Sequence, residues 1–119
     1  MARDAALVTT WGVPIAGREA KSLEVFMDAL TFWAKQAAEG KCSEPDTLVA
    51  ADGSGGMLIV KGKTDGLTGI TESDEYSKLL SKAQMIVGDL KVHWYACGDE
   101  EIQRELAIYS QAGNDLGYM

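Results

Sequence analysis

Cysteine, histidine, basic charge and long apolar runs are what this chain has least of. Its 119 residues contain two cysteines and one histidine. A structural zinc site takes about four ligands at tight local spacing. Cys42 and Cys97 stand far apart and form no CxxC pair, so no metal is expected. No uninterrupted apolar run exceeds about four residues, as at 57–60, whereas a membrane-spanning helix needs about twenty. The opening Met-Ala-Arg-Asp lacks the basic start and apolar stretch of a secretory signal, and the cytoplasm is the expected compartment. Eleven basic residues face eighteen acidic ones, for a net charge of −7. That balance repels a phosphate backbone and an anionic membrane surface, so neither nucleic acid nor membrane is an expected partner. It serves solubility instead.

What is present suits one domain. A chain of this length buries roughly two thirds of the surface its unfolded form exposes, enough for one core without staples. The apolar and charged fractions, 46% and 24%, are ordinary for a globular protein.

Periodicity divides the chain. Residues 6–13 alternate as a strand, with Leu7, Thr9, Trp11 and Val13 on one side and Val8 and Thr10 on the other. Gly12, Pro14 and Gly17 break it. In 18–39, Leu23, Phe26, Leu30, Trp33 and Ala37 step by three and four, the stripe of an amphipathic helix. Gly40 suits the left-handed turn beyond its end. Two strands, 47–51 and 57–61, flank the glycine-rich turn 52–56 and read as a hairpin. A short helical turn over 64–70 is weakened by Gly66 and Gly69. Ser73 caps a clearer helix, with Tyr76, Leu79, Leu80, Ala83, Ile86 and Val87 as its buried face and Gly88 as its stop. The last strand, 91–97, puts Val92, Trp94 and Ala96 on one side and His93, Tyr95 and Cys97 on the other. Asp99 caps a final helix with the stripe Ile102, Leu106 and Tyr109, and Gly113 is its expected end.

Strand-helix-strand twice over, joined by a hairpin, is the β-α-β-β-α-β order of a ferredoxin-like α+β fold. Right-handed crossovers then set both helices on one face of an antiparallel four-stranded sheet, in the order four, one, three, two. The C-terminal helix is additional. Cys42 and Cys97 fall on opposite edges of such a sheet, roughly 14 Å apart, too far for a disulfide, which spans about 7 Å between Cα atoms. The face without helices covers about 400 Å², near the largest apolar patch soluble monomers show. Pairing two such faces hides about 800 Å², on the order of 20 kcal/mol gross, against an association cost of roughly 4 to 15 kcal/mol. A homodimer follows, unless the last helix folds over its own sheet.

The phrase Thr10-Trp11-Gly12-Val13-Pro14 running into Gly17-Arg18-Glu19, Gly55-Gly56 before Met57-Leu58-Ile59-Val60, and Glu75-Tyr76 with Leu79-Leu80 accompany this element order. In these features the sequence resembles the dimeric α+β-barrel proteins. That superfamily includes antibiotic-biosynthesis-type monooxygenases and muconolactone-isomerase-like, YCII-like and NIPSNAP-like proteins. The resemblance covers nearly the whole chain and implies a ferredoxin-like dimer. It matches a scaffold and no catalytic motif, as in the superfamily's many members without assigned activity, and the fold cannot choose among their chemistries.

Few residues suggest chemistry. His93 is the one side chain that ordinarily titrates near neutrality. With Leu7 set opposite Cys97, Thr9 meets Tyr95 and Trp11 meets His93, gathering an aromatic, a base and a phenol on one face. His93 is then either the candidate catalytic base or a packed sheet residue. Arg18 opens the long helix, where anions bind, near the glycine turn 53–56. It either receives a small anionic ligand or pairs with Glu19. Trp11, Phe26, Trp33, Tyr76 and Tyr95 either line an apolar ligand pocket or simply fill the core. The glycine turn lacks any dinucleotide or phosphate-loop fingerprint, and no cofactor is expected. The sequence thus leaves three readings. One is a homodimer that binds a small apolar or weakly anionic molecule. Another is a cofactor-independent oxygenase or isomerase acting on an aromatic substrate. The third is a structural or regulatory dimer without ligand.

Overall fold

A computed structural model describes residues 2–119. In chain order it contains β1 (Asp4–Trp11), α1 (Glu19–Ala38), β2 (Asp46–Val49), β3 (Gly56–Lys63), α2 (Thr64–Thr71), α3 (Asp74–Gln84), β4 (Lys91–Ala96) and α4 (Asp99–Asp115). The strands form one antiparallel sheet in the order β2-β3-β1-β4, so the α+β, ferredoxin-like arrangement expected from the sequence is the one present. No helix among the described residues is long and apolar enough to cross a membrane.

Strand alternation decides the two faces. Leu7 pairs with Val60 and Trp94, and Thr9 with Leu58 and Val92. These residues point toward the helices, where Leu7, Leu58 and Val60 join Phe32, Trp33, Leu67, Ile70 and Tyr76 in one core. Val60 and Leu67 are wholly buried, each such side chain contributing roughly 1.5 to 3 kcal/mol of apolar burial. Val8, between Ile59 and His93, points the other way.

The β1–β4 register departs from the sequence expectation. Thr9 lies opposite Val92 rather than Tyr95, and Trp11 has no partner on β4. The offset is three residues, an odd number, so it exchanges the faces. His93 and Tyr95 share the face that carries Val8, not the one that carries Trp11. The two strands are separated by most of the chain, and no tight turn fixes their pairing.

The helix ends follow local chemistry. Gly40, at φ +76°, lets its own N–H reach the Ala37 carbonyl and the Lys41 N–H reach the Gln36 carbonyl, the paired bonds of a Schellman end. Residues 113–118 repeat this device at the end of α4. Gly117, at φ +79°, donates to the Asn114 carbonyl and Tyr118 donates to the Gly113 carbonyl. Gly113 is therefore inside the helix and Gly117 is the terminator, a correction to the sequence reading. At α3 the Ser73 hydroxyl oxygen accepts from the Tyr76 N–H at 3.2 Å and its own O–H donates to the Ile70 carbonyl at 2.7 Å, tying α2 to α3. Ser73→Ala is expected to cost about 1 kcal/mol, read as a lower urea midpoint with unchanged slope.

Candidate functional site

The helices do not close on the sheet everywhere. Between α1, α3 and the ends of β1, β2 and β3 lies a cavity of about 520 Å³. The sheet supplies Thr9, Trp11, Val49 and Leu58; α1 supplies Val25, Phe26, Ala29 and Trp33; α3 supplies Tyr76, Leu79, Leu80 and Ala83. Ile86 and Val87 close one end. They are held there by an isolated bridge between Pro14 and Val87 and by the Ile15 N–H donating to the Ile86 carbonyl at 2.8 Å.

Aromatic rings keep the layers apart. Trp11 and Phe26 stand 5.7 Å apart between centroids, and Trp33 and Tyr76 meet nearly edge-on at 5.9 Å. Such tilted contacts suit the ring quadrupoles. Trp11 keeps its place because its partner across the sheet has no side chain. A Cβ on Gly56 would come within 2.7 Å of the indole and 2.6 Å of the Leu48 carbonyl oxygen.

Polar groups are few. Among the described residues no side-chain nitrogen or oxygen is sealed off without a hydrogen-bond partner. Trp33 and Tyr76 are lining residues that carry side-chain donors, as are Thr9, Trp11 and Ser22. Burial raises the Tyr76 pKa, which keeps the hydroxyl protonated and able to donate. The charged residue of the lining is Glu19. Its own backbone N–H and that of Gly17, which reaches its carboxylate at 3.0 Å, hold it below the usual carboxylate range.

Of the residues singled out in the sequence, Trp11, Phe26, Trp33 and Tyr76 thus come together around one space. Arg18 does not line it: its guanidinium donates to the Met85 carbonyl and fastens the start of α1 to the end of α3. His93 and Tyr95 lie on the far side of the sheet, exposed, with ring centroids 6.4 Å apart. Cys42 and Cys97 are free thiols. Desolvation, and then the Glu44 charge, raises the Cys42 pKa, which makes it a poor nucleophile. Glu19, Ser22 and Thr9 are lining residues that sequence reasoning missed. Glu19 and Ser22 look like ordinary solvent-facing positions at a helix start, and Thr9 gives no signal beyond strand alternation.

Among the described residues no helix packs over the opposite face of the sheet, where Ala6 is buried by its neighbours and Val8, Met57 and Ile59 are half-buried. Its middle carries Ala6, Val8, Leu48, Met57, Ile59 and Tyr95, and charge sits around them at Asp4, Asp46, Lys61, Lys63 and Lys91. The Lys63 ammonium pairs with Asp4 at 2.7 Å. Leu48 and Tyr95 are each about half exposed.

Gly56→Ala is expected to displace the Trp11 indole, costing about 1 to 3 kcal/mol as overpacking does. Near-ultraviolet circular dichroism, which reports tryptophan packing, would change with it, while the far-ultraviolet spectrum stays native.

No protein-family model matches the chain, and no curated protein does. Solved structures do match. Rv0793 from Mycobacterium tuberculosis is 19% identical, with a TM-score of 0.65 over 81% of this chain and 96% of that one. SnoaB, a cofactor-independent oxygenase from Streptomyces nogalater, is 14% identical, with a TM-score of 0.65 over 82% of this chain and 96% of its own. A dimeric protein of unknown function and ferredoxin-like fold from Bacteroides fragilis is 7% identical, with a TM-score of 0.60 over 79% of this chain and 96% of its own. At these identities the likeness concerns the backbone, and it establishes that the chain has the ferredoxin-like fold those proteins share.

Proposed function

We propose that this chain is a cytoplasmic homodimer that binds a small, uncharged, apolar molecule in the cavity between α1, α3 and the sheet. One observation carries the reading: a space of about 520 Å³ walled by four aromatic residues and aliphatic side chains. Ligand sites commonly measure about 300 to 1,000 Å³, with mostly apolar walls and a few polar groups that fix orientation. Tyr76 and Trp33 supply such groups, both as donors, so the favoured ligand carries an acceptor oxygen or nitrogen. Glu19 weighs against the anionic ligand that Arg18 suggested, because the nearest charge to the cavity is itself negative. Dimerisation is supported by the apolar middle of the uncovered sheet face.

Filling the cavity tests the reading without removing core. Ala29→Trp places an indole in the space, and tryptophan fluorescence titrated with a panel of neutral aromatic ketones follows binding. Wild-type protein is expected to bind at least one of them, and the variant to lose at least about tenfold in affinity at unchanged melting temperature. A wild-type protein that binds none of the panel contradicts the proposal.

A second reading, an oxygenase needing no cofactor, draws on the likeness to SnoaB. It has two places for its chemistry. In the cavity, Tyr76 would orient the substrate; on the other face, His93 would act as base between two copies. Oxygen uptake with a phenolic substrate panel separates them. Turnover lost in Ala29→Trp but kept in His93→Ala locates the reaction in the cavity. The reverse locates it between the sheets. Absence of uptake in the wild type removes the enzymatic reading.

A further inference from the structure

The proposed dimer leaves a discrepancy of area. Sheet faces of about 400 Å² each hide about 800 Å² together, whereas a stable specific interface buries about 1,200 to 2,000 Å². Isolated apolar side chains such as Val13, Met27 and Met85 are exposed elsewhere, but the largest group on one element is on α4. No residue of this 17-residue helix is buried, and its principal contact in its own chain is with β4. The helix stretches the molecule: the radius of gyration is 16.7 Å, against about 13.5 Å for a compact chain of this length.

Most exposed apolar side chains of α4 share one stripe, with Ile108 off it. Ile102, Leu106, Tyr109 and, at the cap, Leu116 are 44%, 60%, 68% and 70% exposed. With Gly113 they recur at intervals of four, three, four and three. That is the a/d seam of a helix that packs lengthwise against a partner. The Schellman turn at Gly117 holds the helix to its last residue, although a helix of this length alone in water is marginal and draws most of its stability from packing. Its charge indicates the partner. Asp99, Glu100, Glu101, Glu105 and Asp115 outnumber Arg104, which disfavours an anionic lipid surface or a nucleic acid. Around the uncovered sheet face Lys61, Lys63 and Lys91 outnumber Asp4 and Asp46, a balance of the opposite sign.

We propose that α4 is an arm that clasps a second copy of this chain, with the stripe Ile102, Leu106, Tyr109 and Leu116 packed against the partner beside the paired sheet faces. The arms supply the area that the sheets lack. This rests on the homodimer reading, and the experiment separates the two.

Sedimentation equilibrium compares full-length wild type, the double variant Leu106→Glu with Tyr109→Glu, and Gln111→Glu, whose charge falls on the opposite side of α4. Wild type and Gln111→Glu are expected to be dimers of equal affinity. The double variant is expected to dissociate at least about 100-fold more readily, with the near-ultraviolet spectrum of its core unchanged. A double variant as tightly dimeric as wild type overturns the arm and leaves the sheet-mediated dimer standing. A monomeric wild type overturns both. Hydrogen exchange on the unaltered chain gives an independent readout. The α4 amides should be protected at high protein concentration and lose that protection on dilution. Concentration-independent exchange counts against the arm even if the double variant fails to fold.

Discussion

A sheet has two faces, and the helices that cross over between its strands here cover one of them. This one-sided cover governs the rest of the molecule. β1 and β3 each have a neighbour on both sides, so their backbone groups are satisfied within the sheet and their side chains alternate between two environments. The residues directed toward α1 and α3 make the core. Those directed away, with Val8, Ile59 and Met57 at the centre, are only half-buried by their strand neighbours, and no helix among the described residues packs over them.

The covered side is itself incompletely filled. Packing to the density of a protein interior would bring α1 and α3 down onto the strands. Large rings, Trp11 and Phe26 at one end and Trp33 with Tyr76 deeper in, hold the layers apart instead. Bulk placed over a glycine is what makes this possible, since Gly56 yields its place above the sheet to the Trp11 indole. The resulting space has mostly apolar walls, with the donors of Thr9, Trp11, Ser22, Trp33 and Tyr76 and one carboxylate among its lining residues, a composition that suits an uncharged guest better than an ion.

Much of this was legible in the sequence, and the parts that were not share a cause. Strand alternation and helical periodicity are local, so the two sides of β1 and of β4 taken singly, the stripe of α1 around Phe26 and Trp33, the Ser73 cap and the Gly40 stop could all be read directly. Element order then gave the sheet order. The β1–β4 register is non-local. Nothing near Leu7 or Trp94 in sequence says that they meet, and an odd offset moved His93 from the face of Trp11 to the face of Val8. Arg18 was misleading for a similar reason: its partner is the backbone carbonyl of Met85, and a carbonyl has no sequence signature. At the end of α4, two glycines competed as terminators. Gly117 won because its positive φ permits both capping bonds there, while Gly113 is tolerated inside the helix at a modest cost.

Methionine oxidation tests the central claim most directly, because the chain carries its own controls. Met57 belongs to the uncovered sheet face, whereas Met27 and Met85 are exposed elsewhere, at 53% and 64%. Hydroxyl-radical footprinting over a range of protein concentrations should show Met57 becoming protected as concentration rises, with Met27 and Met85 oxidised at the same rate throughout. If Met57 oxidises at a rate independent of concentration, no second copy covers that face.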